Sequence, residues 1–369
     1  MNNVHGIIHA YHGYSELHEL GSKRTGASMP FCGRYRLIDF AMSSMMNAGL
    51  YDVGVIMQKG YQSLLDHLGS GWAWNMERHN GGLSTLPPYG LANSDQGIYD
   101  GCMEALNAVR TYLRHIRQPY VILMRGDLCA NIDLAKAIDR HISSGVDITA
   151  VCTAYPLNCK HHSYIVGEDG VARQMLCAQT ENVGVQSLET YIMSTKLLIE
   201  VVEWCAHRGK IHLHRDAIRH MMDEGKKVGV YMHEGYARMI KNVVDYYKAN
   251  MDMLDEEKRA MLFPPERHVT TRKGINVSTY YGDGAKVKNS LIADGCVIEG
   301  SLENCVLFPG VKISAGSVLR DCIVMNDAVI GSNVDLSYVI ADKEVNISSS
   351  VSLTGNPQLP LVIPKYGKI

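Results

Sequence analysis

Short apolar runs alternate with longer amphipathic segments through the first two-thirds of the chain. Residues 4–10, 52–57, 120–124, 147–154, 187–192 and 228–233 carry the pattern of strands, the first of them nearly continuous in apolar residues, as in a buried parallel strand. Residues 37–49, 61–68, 99–117, 196–207 and 215–224 carry helical spacing, and 164–175 reads as a hairpin turning at Gly167-Glu168-Asp169-Gly170. Strands and helices in alternation build an α/β sheet domain. Beyond Pro264 and Pro265 the texture changes to short β segments separated by Gly, Asn and Asp turns. Ile292 and Ile298, Leu307 and Ile313, and Val324 and Ile330 are pairs six residues apart, recurring every 15 to 17 residues. That period predicts a left-handed parallel β-helix whose aliphatic positions stack along one axis. The expected division is an α/β domain over 1–262, a linker over 263–281 and a β-helix over 282–369.

Composition narrows the function classes. The 369 residues, 46% hydrophobic and 20% charged, are ordinary globular usage and enough for two domains. A net charge of -2 and the lack of a long basic run exclude nucleic acid as the main partner. Ten scattered cysteines with no C-x-x-C pair point to reduced thiols. Without a leader pattern or an apolar run near 18 residues, a cytoplasmic protein with no membrane partner is expected.

The candidate chemistry sits at strand ends. The turn after the first strand is where glycines let backbone amides converge on a phosphate. Here it reads Tyr11, His12, Gly13, Tyr14, Ser15, Glu16: rings and a carboxylate around one glycine. Asp127 closes the 120–124 strand, a place where open α/β sheets put ligand groups. The His161-His162 pair and His212 with His214 have no carboxylate or cysteine at ligand spacing beside them, and H-E-x-x-H and G-x-S-x-G are absent. They carry no metal expectation. A hexapeptide acyltransferase needs a histidine on its coil, and the last histidine is His268.

Leu17, Arg24, Phe31, Gly33, Arg34, Tyr35, Arg36, Leu37, Ile38, Asp39 and Phe40 match the opening signature of ADP-glucose pyrophosphorylase, the glucose-1-phosphate adenylyltransferase of glycogen and starch synthesis. Tyr99, Gly101, Ala105, Asp127, Ser187 and the run from Tyr246 to Asp252 extend the resemblance over nearly the full length. It implies a Rossmann-like nucleotidyltransferase (GT-A-like) domain followed by the β-helix. In the family, the Asp127 position holds the catalytic magnesium, the Gly101 segment starts a helix near the nucleotide, and the Ser187 position touches glucose. Anionic regulators bind near the segment that supplies Lys23, Arg24, Arg34 and Arg36.

The departures from the family fall on reactive positions. Tyr11, His12 and Tyr14 replace glycines, Glu16 an arginine, Gly26 a lysine, Glu189 a glycine, and Met239 the second magnesium ligand; Cys177-Ala178-Gln179 replaces the segment with the sugar-phosphate lysine. One unit charge about 4 Å from a phosphate is worth roughly 4 kcal/mol at an effective dielectric near 20, so arginine to glutamate swings binding by about twice that. Micromolar affinity is only about 8 kcal/mol in all. A thioether cannot replace an oxygen ligand of magnesium.

The resemblance therefore implies a regulatory subunit of the GlgD type with no catalytic residue and no metal of its own. It would retain vestigial substrate positions at Gly101, Asp127 and Ser187 and a regulator site at Lys23, Arg24, Arg34 and Arg36. Magnesium is expected only in a catalytic partner subunit, within a homo- or hetero-oligomer, a tetramer. An active enzyme with a rearranged site and a sugar-phosphate or nucleotide sensor are the alternatives.

Overall fold

The computed structural model describes residues 3–10, 17–58, 60–78, 81–88, 99–157, 159–274 and 277–369. The turn from Tyr11 to Glu16 lies outside them. A nine-stranded mixed sheet forms the first domain, with Val4–His9 near its centre. That strand pairs in parallel with Val53–Ile56 and with Tyr120–Arg125, while Val185–Ser194 runs antiparallel to Tyr120–Arg125. Ile8 and Ile122 join the core on one face, and Ile7 and Leu123 the core on the other. Because alternate side chains point to opposite faces, a strand covered on both sides is largely apolar, and its buried His5 is partnered by Tyr112 Oη at 2.9 Å. The six single strands expected are each observed to within two residues at either end, while the hairpin is longer than expected, His161–Val166 with Ala172–Gln179, and Leu83–Leu86 adds an edge strand that was not anticipated. No helix among the described residues is long and apolar enough to cross a membrane.

The helices depart more from expectation. The 99–117 pattern divides at Val109 into Cys102–Ala108 and Arg110–His115. Its start is set by Gly101, where a Cβ would stand 2.2 Å from the Ile211 carbonyl oxygen. The 215–224 pattern becomes a π-helical segment, Leu213–Ile218, followed by Arg219–Asp223. A helix over Leu134–Ser144 was not anticipated, although its ends are legible. Asp133 caps it by accepting from the Lys136 N–H at 3.1 Å, and Gly145 ends it at φ 65°.

The second domain is a left-handed β-helix of three five-stranded parallel sheets. Ile298, Ile313, Ile330 and Ile347 pair in register from coil to coil, as do Leu302, Leu319 and Leu336. One corner stacks Asn289, Asn304 and Asp321 at φ 42–54°, the left-handed conformation that Asn and Asp tolerate best. Their side chains form a ladder, Asn289 Nδ2 to Asn304 Oδ1 at 2.8 Å and Asn304 Nδ2 to Asp321 Oδ1 at 3.2 Å. The first coil strand, Tyr280–Tyr281, falls inside the stretch read as linker, whereas the last α/β helix ends at Leu262.

The domains share a hydrophobic core in which Phe31, Phe40 and Tyr246 meet Phe308, Met325 and Ile340. Tyr247 Oη donates to the Asp321 carbonyl at 2.8 Å, and Arg24 grips both oxygens of buried Asp342 at 2.7 Å. Much of the family signature between Phe31 and Phe40, and again at Tyr246 and Tyr247, thus joins the two domains.

Candidate functional site

Two places in this fold carry chemistry. The first is at the carboxyl end of Tyr120–Arg125. Arg125 Nε and Nη2 each donate to an oxygen of Asp127 at 2.8 Å, and its Nη1 donates to Glu189 Oε2 at 2.8 Å. All three residues are 5% exposed. Burial opposes the guanidinium charge, but Asp127 and Glu189 outweigh it and hold Arg125 well above its ordinary value. Bidentate pairing of this kind is among the stronger protein contacts. The carboxylate expected at a magnesium site is held by an arginine of its own strand.

Glu189 reaches Arg125 through a bulge in Val185–Ser194, where pairing slips between Ser187 and Thr190. It sits at φ 51°, a conformation that costs a non-glycine residue roughly 1–2 kcal/mol. The backbone thus keeps the shape that suits the family's glycine while the side chain supplies a charge. Ser187 is buried beside it, accepting the Glu189 N–H at 3.1 Å with its Oγ 3.0 Å from Tyr191 Oη. Gly101 is packed against Ile211, whose carbonyl accepts from the Met103 N–H at 2.9 Å. That bond takes up one of the helix-start amides an incoming phosphate would use. Asp127 and Ser187 are linked through Arg125 and Glu189; Gly101 serves a tight contact of its own.

Met239 lies on Ala237–Met239, paired with Leu128 and fully buried in the hydrophobic core. Its neighbour Arg238 binds Asp252 at 2.7 Å. Burial alone would raise the Asp252 carboxyl, but Lys258 and Arg238 hold it below its usual range.

The histidines behave differently from their sequence reading. His162 and His214 stack at 3.9 Å with planes 12° apart, and with Glu189 their ligating atoms lie within 4.8 Å of one another. The bulge in one strand and the π-helical segment bring a carboxylate to imidazoles that lack one in sequence. Spacing along the chain carried no signal for this.

The second place is a cleft of about 640 Å³ between the domains. Arg34, Arg36, Arg272, Lys273 and Lys343 line it, five cations against the three carboxylates of Asp66, Asp294 and Asp327. Burial, with Asp39 opposing and Arg24 adding to it, lowers Arg36 to about 10. Burial and the neighbouring Arg36 and Arg24 lower Lys343 to about 8. Of the four residues expected to hold a regulator, Arg34 and Arg36 line this cleft. Arg24 does not, because Asp342 takes its guanidinium, and Lys23 instead lies 5.4 Å over the Tyr366 ring. Sequence reading missed Arg272 and Lys273, which the segment ahead of the β-helix brings to the cleft, and Lys343, which reaches it on a coil of the docked β-helix.

Comparison with known proteins covers both domains. Residues 15–164 match the nucleotidyl transferase family and residues 276–359 the GlmU-like C-terminal hexapeptide family. The glycogen biosynthesis protein GlgD of Bacillus subtilis (strain 168) is 31% identical over 366 residues, 99% of this chain and 96% of that protein. The glucose-1-phosphate adenylyltransferase of Bacillus mycoides (strain KBAB4) is 32% identical over 338 residues, 90% of each chain, and that of Bacillus anthracis 31% over the same span.

Proposed function

Because the chain belongs to the glucose-1-phosphate adenylyltransferase family, and is a homologue of its GlgD-type glycogen biosynthesis proteins, we propose that it is a non-catalytic regulatory subunit. It assembles with a catalytic paralogue that makes ADP-glucose and pyrophosphate from ATP and glucose 1-phosphate. The observation that carries this reading is the Arg125 fork on Asp127. Phosphoryl transfer relies on positioning and on metal neutralisation of developing charge. Here the one remaining carboxylate is held by a guanidinium, and the second position is a buried thioether. Binding magnesium would require breaking a buried ion pair, a cost of several kcal/mol before any metal bond forms.

Regulation is assigned to the cleft between the domains, where Arg34, Arg36, Arg272, Lys273 and Lys343 suit an anionic effector. An effector seated there touches both domains and biases how they pack. Coupling of 1 to 3 kcal/mol to the partner's active conformation corresponds to about 5- to 150-fold in activity.

The test is pyrophosphate release from ATP and glucose 1-phosphate by the purified chain, by a catalytic paralogue, and by their mixture. Silence of the lone chain and a mixture faster than the paralogue are expected. Turnover by the lone chain at rates near the mixture would instead establish an enzyme with a rearranged site, a reading its 32% identity to an adenylyltransferase keeps in view. An unchanged mixture would point to a sensor.

A further inference from the structure

The geometry points to a transition-metal site at His162, Glu189 and His214, suited to zinc, which neither the regulatory reading nor the family's magnesium chemistry includes. Two imidazoles and a carboxylate are a donor set that zinc accepts, with three protein ligands and a fourth position left for water or a ligand. The donor atoms already lie within 4.8 Å of one another. Around a tetrahedral ion with bonds near 2.0–2.2 Å they would stand about 3.4 Å apart, so the shift needed is of order one ångström each.

The chemistry around the three residues is favourable. The Ala178 N–H donates to His162 Nδ1 at 3.4 Å, which places the lone pair of the neutral ring on Nδ1, and a metal bound there takes the place of this long contact. Burial also pushes His162 below its ordinary value. Arg125 takes both oxygens of Asp127 but Glu189 by Oε2 alone, at 2.8 Å, so ligation through Glu189 Oε1 would leave that ion pair in place as an outer contact. Tyr191 packs on His214 at 5.5 Å and limits where that ring can turn. His162 is the partly exposed member, which places the approach of an ion on its side. Two rings stacked face to face cannot both aim a nitrogen at one ion, so capture of an ion turns one imidazole out of the stack.

The site also has separate backbone support. Glu189 is held at φ 51° by a bulge, and His214 lies on a π-helical segment, both irregularities that recur where side chains are aimed for function.

The test uses the full chain, stripped with a chelator and titrated with zinc chloride against a chromophoric competitor, and then with cobalt for its visible spectrum. One zinc per chain is expected, with a cobalt spectrum of nitrogen and oxygen ligation. His214→Ala and Glu189→Gly should each weaken zinc at least tenfold, while His212→Ala, outside the cluster, should leave it unchanged. Glycine suits the φ of 51°, so Glu189→Gly preserves the backbone if His214→Ala does not fold, and His162→Gln gives a third variant at the partly exposed position. Absence of stoichiometric uptake, equal affinity in the folded variants, or a cobalt spectrum dominated by thiolate charge transfer from the cysteines would overturn the site.

Discussion

Arg125 and Arg36 are both arginines largely removed from water, and they respond in opposite directions. Arg125 faces two carboxylates and is held well above its ordinary value. Arg36 donates to the Ser63 carbonyl at 2.6 Å and to its hydroxyl at 2.9 Å, but burial and the nearby Arg24 bring it down to about 10 despite Asp39. The difference lies in who supplies the counter-charge. At the strand end the protein supplies it from its own side chains, and an anionic substrate finds its cation already taken. In the cleft the cations outnumber the carboxylates, so a bound anion relieves repulsion that the fold itself leaves in place.

The sharpest way to break that comparison is Arg125→Ala. It removes the guanidinium that buried Asp127 and Glu189 share and is expected to cost about 3–5 kcal/mol, read from urea unfolding. A loss below about 1 kcal/mol would mean that the triad is hydrated and the strand end accessible. Arg24→Ala exposes the same logic at the domain junction, where Asp342 is 1% exposed. It should cost about 3 kcal/mol, with the β-helix becoming more susceptible to limited proteolysis. In the cleft, Arg272→Ala should weaken binding of inorganic phosphate by about tenfold in calorimetric titration, the loss of one charge-assisted contact. Equal phosphate affinity would remove the cleft from consideration as an anion site.

A smaller effect follows from Lys343, whose value in the folded chain is lowered from 10.5 to about 8. Between these values the unfolded chain binds the extra proton, so stability rises with pH across that window. The melting temperature of the native chain should therefore gain on that of Lys343→Met from pH 8 to 10.5. Saturating phosphate should flatten the gain by returning the lysine to its charged form. The smallest change expected is Arg114→Ala, which breaks an exposed pair with Glu203 and should shift stability by no more than about 0.5 kcal/mol.

The parts of this protein that local rules govern were legible in its residues. Strand runs such as Val228–His233, the six-residue aliphatic pairs of the β-helix and the signature from Phe31 to Phe40 each depend on neighbours along the chain, on periodicity and turn chemistry. So did the replacement of reactive groups at Glu189 and Met239. The Leu134–Ser144 helix was legible as well, in its Asp133 cap and Gly145 stop, and was overlooked.

Only the tertiary structure decided which charges meet. Arg125 and Glu189 are 64 positions apart and Arg24 and Asp342 are 318 apart, and nothing in either neighbourhood names the other. Arg24 was read as an anion ligand because a sequence shows a charge without showing its partner. Ion pairing and metal ligation depend on separations of a few ångströms. Those separations come from sheet register, a two-residue bulge and the seating of one domain on another, which no local pattern encodes.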